Sequence, residues 1–265
     1  MKLKSKLLLA LLAVSGVAFA DEPAAPEDSL SYNVGAVTQY RYRGISQTKG
    51  KPALQGGADF AAASGWYVGT WASTISWIAD NGNSPATVSA FGSKQSVNGP
   101  VELDVYGGYK FDLNGIAMDV GYLKYQYLGN QLAQLGQANG FVNANTDELY
   151  AAATFGMFTL KDSYSLGNLF GTYNSKGSQY LDLSATVDLG NGYSFVPHVG
   201  RQVFANNAIY NYTDYSLTVN KDLGKGLSAS VAAVGTNALT NSYTNNDANY
   251  FQGRKALVLG VKYAF

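Results

Sequence analysis

The fold class predicted is all-β, a transmembrane antiparallel up-and-down β-barrel of about twelve strands. Three observations predict it: an export-type N-terminus, long runs of period-two alternation, and tight Gly-containing turns that alternate with longer polar loops. Taken in order, Lys2, Lys4 and Lys6 precede an apolar run from Leu7 to Val14, and Ala18, Phe19 and Ala20 then form an A-x-A cleavage site. Residues 1–20 are therefore expected to be a cleaved signal peptide, 21–29 a short periplasmic segment and 30–265 a single barrel domain. Removing 1–20 deletes three of the eighteen basic residues and no acidic ones, leaving a formal charge of −3 and no basic surplus for a nucleic-acid partner. No cysteine is present, so a disulfide framework is excluded even though export leads to an oxidising compartment. After Ala20 no apolar run is long enough to cross a bilayer as a helix, which leaves a soluble β-sandwich or a membrane barrel.

Strand length separates these two. From Leu30 to Arg43, Leu30, Tyr32, Val34, Ala36, Tyr40 and Tyr42 alternate with Ser31, Asn33, Gln39, Arg41 and Arg43, which reads as one long strand. Soluble strands usually run about five or six residues, whereas a tilted membrane strand needs about nine to eleven. Further on, Asp-Leu-(Gly)-x-Gly turns end at Gly115, Gly192 and Gly226, each between an alternating strand and its return. Leu103, Val105, Tyr109 and Phe111 oppose Glu102, Asp104, Tyr106 and Lys110, an apolar set for lipid and a polar set for the lumen. The strands expected are 30–46, 53–63, 66–77, 101–111, 116–127, 147–155, 158–165, 179–189, 193–203, 212–223, 227–236 and 255–265. Longer segments such as 79–100 and 129–146 fall on the side opposite the tight turns; their length makes them the candidates to constrict a pore. In the last strand Leu257, Leu259, Val261, Tyr263 and Phe265 alternate with Val258, Gly260, Lys262 and Ala264. That pattern resembles the terminal strand read by outer-membrane barrel-assembly machinery, the expected partner alongside outer-membrane lipid.

Residues 42–46 (YRGIS), 55–60 (QGGADF), 65–73 (GWYVGTWAS) and 102–109 (ELDVYGGY), with His198 to Gly200 and the terminal strand, resemble the TorF family of porins. The resemblance spans essentially the whole mature chain. It implies an outer-membrane barrel with a broad porin role, and it supplies no catalytic residue to carry over.

Passive passage of small hydrophilic solutes through a narrow charged lumen is the leading functional expectation. Eight strands enclose a filled lumen and sixteen to eighteen a wide channel, so twelve imply something narrow. The candidate pore-lining residues are Gln39, Arg41, Arg43, Gln55, Asp59, Glu102, Asp104, Lys110, Asp119, Asp182 and Asp214, because Arg or Lys at mid-bilayer on the lipid face costs about 2 to 4 kcal/mol. Arg41 and Arg43 could equally brace the wall by pairing with Asp59, Glu102 or Asp104. Tyr40, Tyr42, Trp66, Tyr67, Trp71, Trp77, Tyr109, Tyr122 and Tyr263 are read as interfacial belts in preference to sugar-stacking platforms. Two other classes stay open. A non-conducting adhesin or structural barrel shares every feature except an open lumen. A lipid hydrolase or acyltransferase would have to use His198, the sole histidine, without any G-x-S-x-G elbow. No cofactor or metal is expected, since one histidine and no cysteine leave scattered carboxylates, and Asn241, Asn245, Asn246, Asp247 and Asn249 lack EF-hand spacing.

Overall fold

The computed structural model describes residues 28–245 and 250–265. The expected signal peptide lies outside the described residues, as do most of the segment that follows it and Asn246, Asp247 and Asn249 of the Asn-rich loop.

Twelve strands make one closed antiparallel barrel. In chain order they are β1 (Ser29–Val37), β2 (Ala53–Ala61), β3 (Trp66–Thr74), β4 (Val101–Leu113), β5 (Ile116–Leu128), β6 (Thr146–Phe155) and β7 (Phe158–Ser165). They continue with β8 (Gln179–Ala185 and Val187–Gly190), β9 (Tyr193–Val203), β10 (Tyr212–Gly224), β11 (Leu227–Thr236) and β12 (Ala256–Ala264). The two pieces of β8 keep one register on β9, with Ser184 opposite His198 and Val187 opposite Phe195. Continued through the break, that register sets Ala185 opposite Pro197, which has no N–H to give the ladder. Each strand pairs with its sequence neighbours, and β1 closes the cylinder on β12, with Val34 opposite Tyr263 and Gly35 opposite Lys262. Closure leaves no open edge, the condition a strand must meet in hydrocarbon.

Turn chemistry explains the sharp returns. Asn114-Gly115, Asn191-Gly192 and Lys225-Gly226 all have positive φ, the two-residue type I′ geometry whose twist matches the flanking strands. Outward side chains form an apolar belt in which Leu30 is 59% exposed, Val34 52%, Leu54 67%, Leu217 54% and Leu259 50%. Water would not tolerate so continuous a patch on a monomer, whereas a bilayer covers it. Near the turns Trp66, Phe155, Phe158, Tyr193, Tyr263 and Phe265 are exposed; toward the loops Tyr122, Tyr164 and Tyr215 are. These two sets are the belts anticipated for Trp66, Tyr122 and Tyr263.

Two sequence readings are corrected. The expected strand 30–46 ends at Val37; beyond Thr38 the chain leaves the wall and turns inward. Alternation runs on to Arg43 because Arg41–Tyr42 is itself extended, paired with Ile45–Ser46 in a small separate hairpin. Likewise the expected strand 66–77 stops at Thr74, and Trp77 begins the short helix α1 (Trp77–Asn81), followed by α2 (Pro85–Phe91) with Ser84 capping it and Pro at its first turn.

Candidate functional site

The inward hairpin is the feature around which the loop-side end of the barrel is organised. Its turn is Arg43-Gly44, with φ of 45° and 77°, the same positive-φ pair as the wall turns. A side chain at Gly44 would meet Thr236 at 2.5 Å and Asp214 at 2.6 Å, so the hairpin tip lies hard against β10 and β11. Holding Arg43 in the left-handed region costs about 1 to 2 kcal/mol, which surrounding contacts must offset.

Those contacts are strong. Arg43 Nη2 donates to Glu148 Oε2 at 2.7 Å and Nη1 to Glu148 Oε1 at 3.0 Å, a two-pronged ion pair, and Nη1 also donates to Gln202 Oε1 at 2.9 Å. The guanidinium stacks on the Tyr180 ring at 4.2 Å. Tyr125 donates to the same carboxylate at 3.1 Å, and Tyr42 meets Tyr125 through their hydroxyls. Arg43 is 3% and Glu148 2% exposed, so neither charge could stand without the other. Along the hairpin base, Tyr40 donates to Glu102 Oε1 at 2.8 Å and packs edge-on against Trp71, with ring centroids 5.5 Å apart.

Other loops cover the hairpin. Ser76 and Trp77 donate backbone N–H groups to Gln47 O, and Ile78, Val97, Leu132 and Leu135 join Tyr40, Tyr125 and Tyr127 in one buried cluster that reaches Val234 and Val258 on the far wall. Segments 79–100 and 129–146, expected to be the constriction, thus cap an inward segment at 38–52 that enters ahead of them. Tyr40, Tyr42, Trp71 and Trp77, read as membrane belts, lie inside this cluster or packed on it, a third correction: Tyr40, Tyr42 and Trp77 leave the wall with the inward segments, and Trp71 faces inward from β3. Tyr67 is inward as well, donating to Asp119 Oδ1 at 2.6 Å.

The remaining candidates are placed as follows. Gln39 accepts from Arg41 Nε at 2.8 Å, and Gln55 donates weakly to Ser73 at 3.4 Å. Asp59 accepts from the Tyr106 hydroxyl. Glu102, Asp104, Asp119, Asp182 and Asp214 are all buried on the inner face, and Asp104 Oδ1 has no hydrogen-bond partner among the described residues. Lys110 stands opposite Asp119 in register, with its ammonium 5.2 Å from the Tyr67 ring centre. Arg43 is braced, but by Glu148 rather than Asp59, Glu102 or Asp104. Glu148 and Gln202 were missed from the sequence because the faces of β6 and β9 were not resolved, although Glu148, Tyr150 and Ala152 alternate there with Leu149, Ala151 and Ala153.

Several inner tyrosines lie flat across glycines of an adjacent strand. Tyr180 covers Gly200, where an added methyl would meet its hydroxyl at 2.0 Å, and Tyr106 covers Gly69 at 2.4 Å. Each ring then reaches an acid further round the wall, Asp214 at 3.0 Å for Tyr180 and Asp59 for Tyr106.

His198 belongs to this inner wall. Its Nε2 is 2.7 Å from Asp182 and 3.2 Å from the Tyr180 hydroxyl, and its Nδ1 is 3.7 Å from Asp214. Ser184 and Ser216 are its register partners on β8 and β10, yet its side-chain hydrogen bonds among the described residues go to Asp182 and Tyr180 and to neither serine. Among the described residues no cluster of His, Cys, Asp and Glu could hold a metal ion.

The fold is shared with solved porin structures. One described as KdgM porin in complex with disordered oligogalacturonate superposes with a TM-score of 0.51 at 8% identity, covering 89% of this chain and 99% of that chain. A second, described as KdgM porin, gives 0.50 at 9% identity with the same coverage of 89% and 99%. At such identities the likeness concerns the fold alone. No curated protein matches the sequence. Over residues 20–265 the sequence matches one bacterial family described as being of unknown function, and the chain belongs to that family, Gcw_chp.

Proposed function

We propose that the protein is an outer-membrane channel passing small hydrophilic solutes through a charged lumen narrowed at its loop end by the inward hairpin. The observation that carries this reading is the Arg43–Glu148 latch: a bidentate, buried ion pair spans from the hairpin to the wall, inside a barrel whose inner face is lined with charge. A barrel that served only as an anchor could fill its lumen with apolar side chains at lower cost than ionised groups, since burying charge is expensive unless the charges are needed where they stand. The outward apolar belt with aromatic residues at both ends, and the resemblance of the sequence to TorF porins, support the outer-membrane placement. The candidate lining then divides: Arg43 with Glu148, and Tyr40 with Glu102, set the constriction, while Asp59, Lys110 and Asp119 line the bore toward the turns.

A second reading, a non-conducting barrel that presents its loops as an adhesin or structural element, is favoured by one observation, the apolar cluster packed across the loop end. Single-channel recording of the refolded mature chain in a planar bilayer separates the two. Discrete open steps whose ion selectivity across a salt gradient shifts in R41Q and R43Q support the channel. A correctly folded barrel that stays silent both as wild type and as R43Q overturns it.

A further inference from the structure

Two residues before the latch, Arg41 presents the opposite electrostatic situation. It is 1% exposed, and its donors go to neutral acceptors: Nε to Gln39 Oε1 at 2.8 Å, Nη1 to Gly44 O at 3.1 Å and to Gln252 O at 2.6 Å. Nη2 is buried without a partner, and no carboxylate forms an ion pair with Arg41 among the described residues. A second cation, Arg254, follows two residues after Gln252, whose carbonyl Arg41 holds, and its charge acts on Arg41. Arg254 lies over the Tyr250 ring at 3.8 Å, and its Nη2 would be 3.4 Å from a methyl built on Gly50. The two arginines are held in register by stitching between their segments: Ser46 N donates to Gln252 O at 3.0 Å, and Ser46 Oγ receives Gly50 N at 3.1 Å and the Tyr250 hydroxyl at 3.3 Å. Burial foremost, opposed by Tyr250 and with the Arg254 charge adding, draws the pKa of Arg41 down to about 10, which leaves it cationic at neutral pH. A fixed, desolvated guanidinium beside a second one is costly, and the described side chains supply no negative charge to offset it.

We infer that Arg41 and Arg254 form a binding site for a small oxyanion, a carboxylate or phosphate group, at the loop-side mouth of the barrel. Arg254 is exposed and offers its fork to an anion arriving from solution, and Arg41, held on Gln252 O two residues away, adds a buried positive charge and a donor without a partner. The site would concentrate anionic solutes at the entrance, immediately beside the Arg43 latch. It is independent of conduction, because a barrel that never opens would still bind the anion.

The test is calorimetric titration of the refolded full-length barrel with inorganic phosphate, and separately acetate, in chloride-free buffer at constant ionic strength. A saturable phosphate heat is expected, weakened at least tenfold in R254Q, whose exposed side chain is not needed for folding, and weakened comparably in R41K, which keeps the charge but loses the fork. An absent wild-type signal, or R254Q and R41K binding as tightly as wild type, overturns the proposal. So does a tenfold gain of phosphate affinity in D247N, which would assign the counter-charge to the protein's own loop.

Discussion

Removing the Arg43 guanidinium should unseat the hairpin without unfolding the barrel, because Arg43 lies outside the wall ladder while its partners Glu148, Gln202 and Tyr180 are held in it. Breaking a buried ion pair by deleting one member costs about 3 to 5 kcal/mol. The hydrogen bond to Gln202 and the stack on Tyr180 add about 1 kcal/mol each. The wall retains its own hydrogen bonds, so this loss falls on the equilibrium between seated and released hairpin. At about 1.4 kcal/mol per factor of ten, the ratio shifts toward release by at least about a thousandfold. Single-channel open occupancy of R43Q in a planar bilayer reads that ratio, and Trp fluorescence offers a second readout because Trp71 and Trp77 pack on the cluster that the hairpin organises. The paired variant R43M/E148M, which leaves no orphaned charge, should return occupancy toward wild type. If R43Q and E148Q leave both occupancy and fluorescence unchanged, the ion pair does not hold the hairpin and the latch argument fails.

Three other outcomes follow from the same geometry. Gly44→Ala combines a left-handed backbone with contacts at 2.5 and 2.6 Å, so it should release the hairpin tip and reproduce the R43Q conductance phenotype, whereas wild-type behaviour would mean that the tip is not seated against Asp214 and Thr236. Gly200→Ala meets the Tyr180 hydroxyl at 2.0 Å and should cost about 1 to 3 kcal/mol by overpacking, seen as a lower urea midpoint for unfolding in lipid vesicles; an unchanged midpoint would show that the ring moves freely. Val105→Arg, on the outward face of β4, should lose about 2 to 4 kcal/mol in the same assay, and full stability would contradict the lipid-facing assignment.

The wall was legible because each device that builds it is local. Asn114-Gly115 and Lys225-Gly226 announce their turns, and Glu102 to Phe111 states both faces of β4 in one run. The hairpin escaped because alternation is blind to direction: Leu30 to Val37 and Arg41–Tyr42 are both extended, and nothing in a period of two says that the chain has left the wall between them. Its signature was nonetheless present, since Arg43-Gly44 flanked by Tyr42 and Ile45 is the same x-Gly turn as Lys225-Gly226. The alternating faces pick out Arg43 and Glu102 as inward charges but not Glu148, the partner of Arg43. Pairing across 105 residues is a tertiary fact that no local pattern encodes.

The latch also dictates an order of events during assembly. Arg43 belongs to the first connection of the barrel, yet its partners Glu148 and Gln202 and its seat at Asp214 and Thr236 come from strands made much later in the chain. The hairpin therefore has no seat until those strands have paired and the cylinder has closed. Docking must follow the pairing of those strands, so the loop end is narrowed last, by a segment that was made among the first.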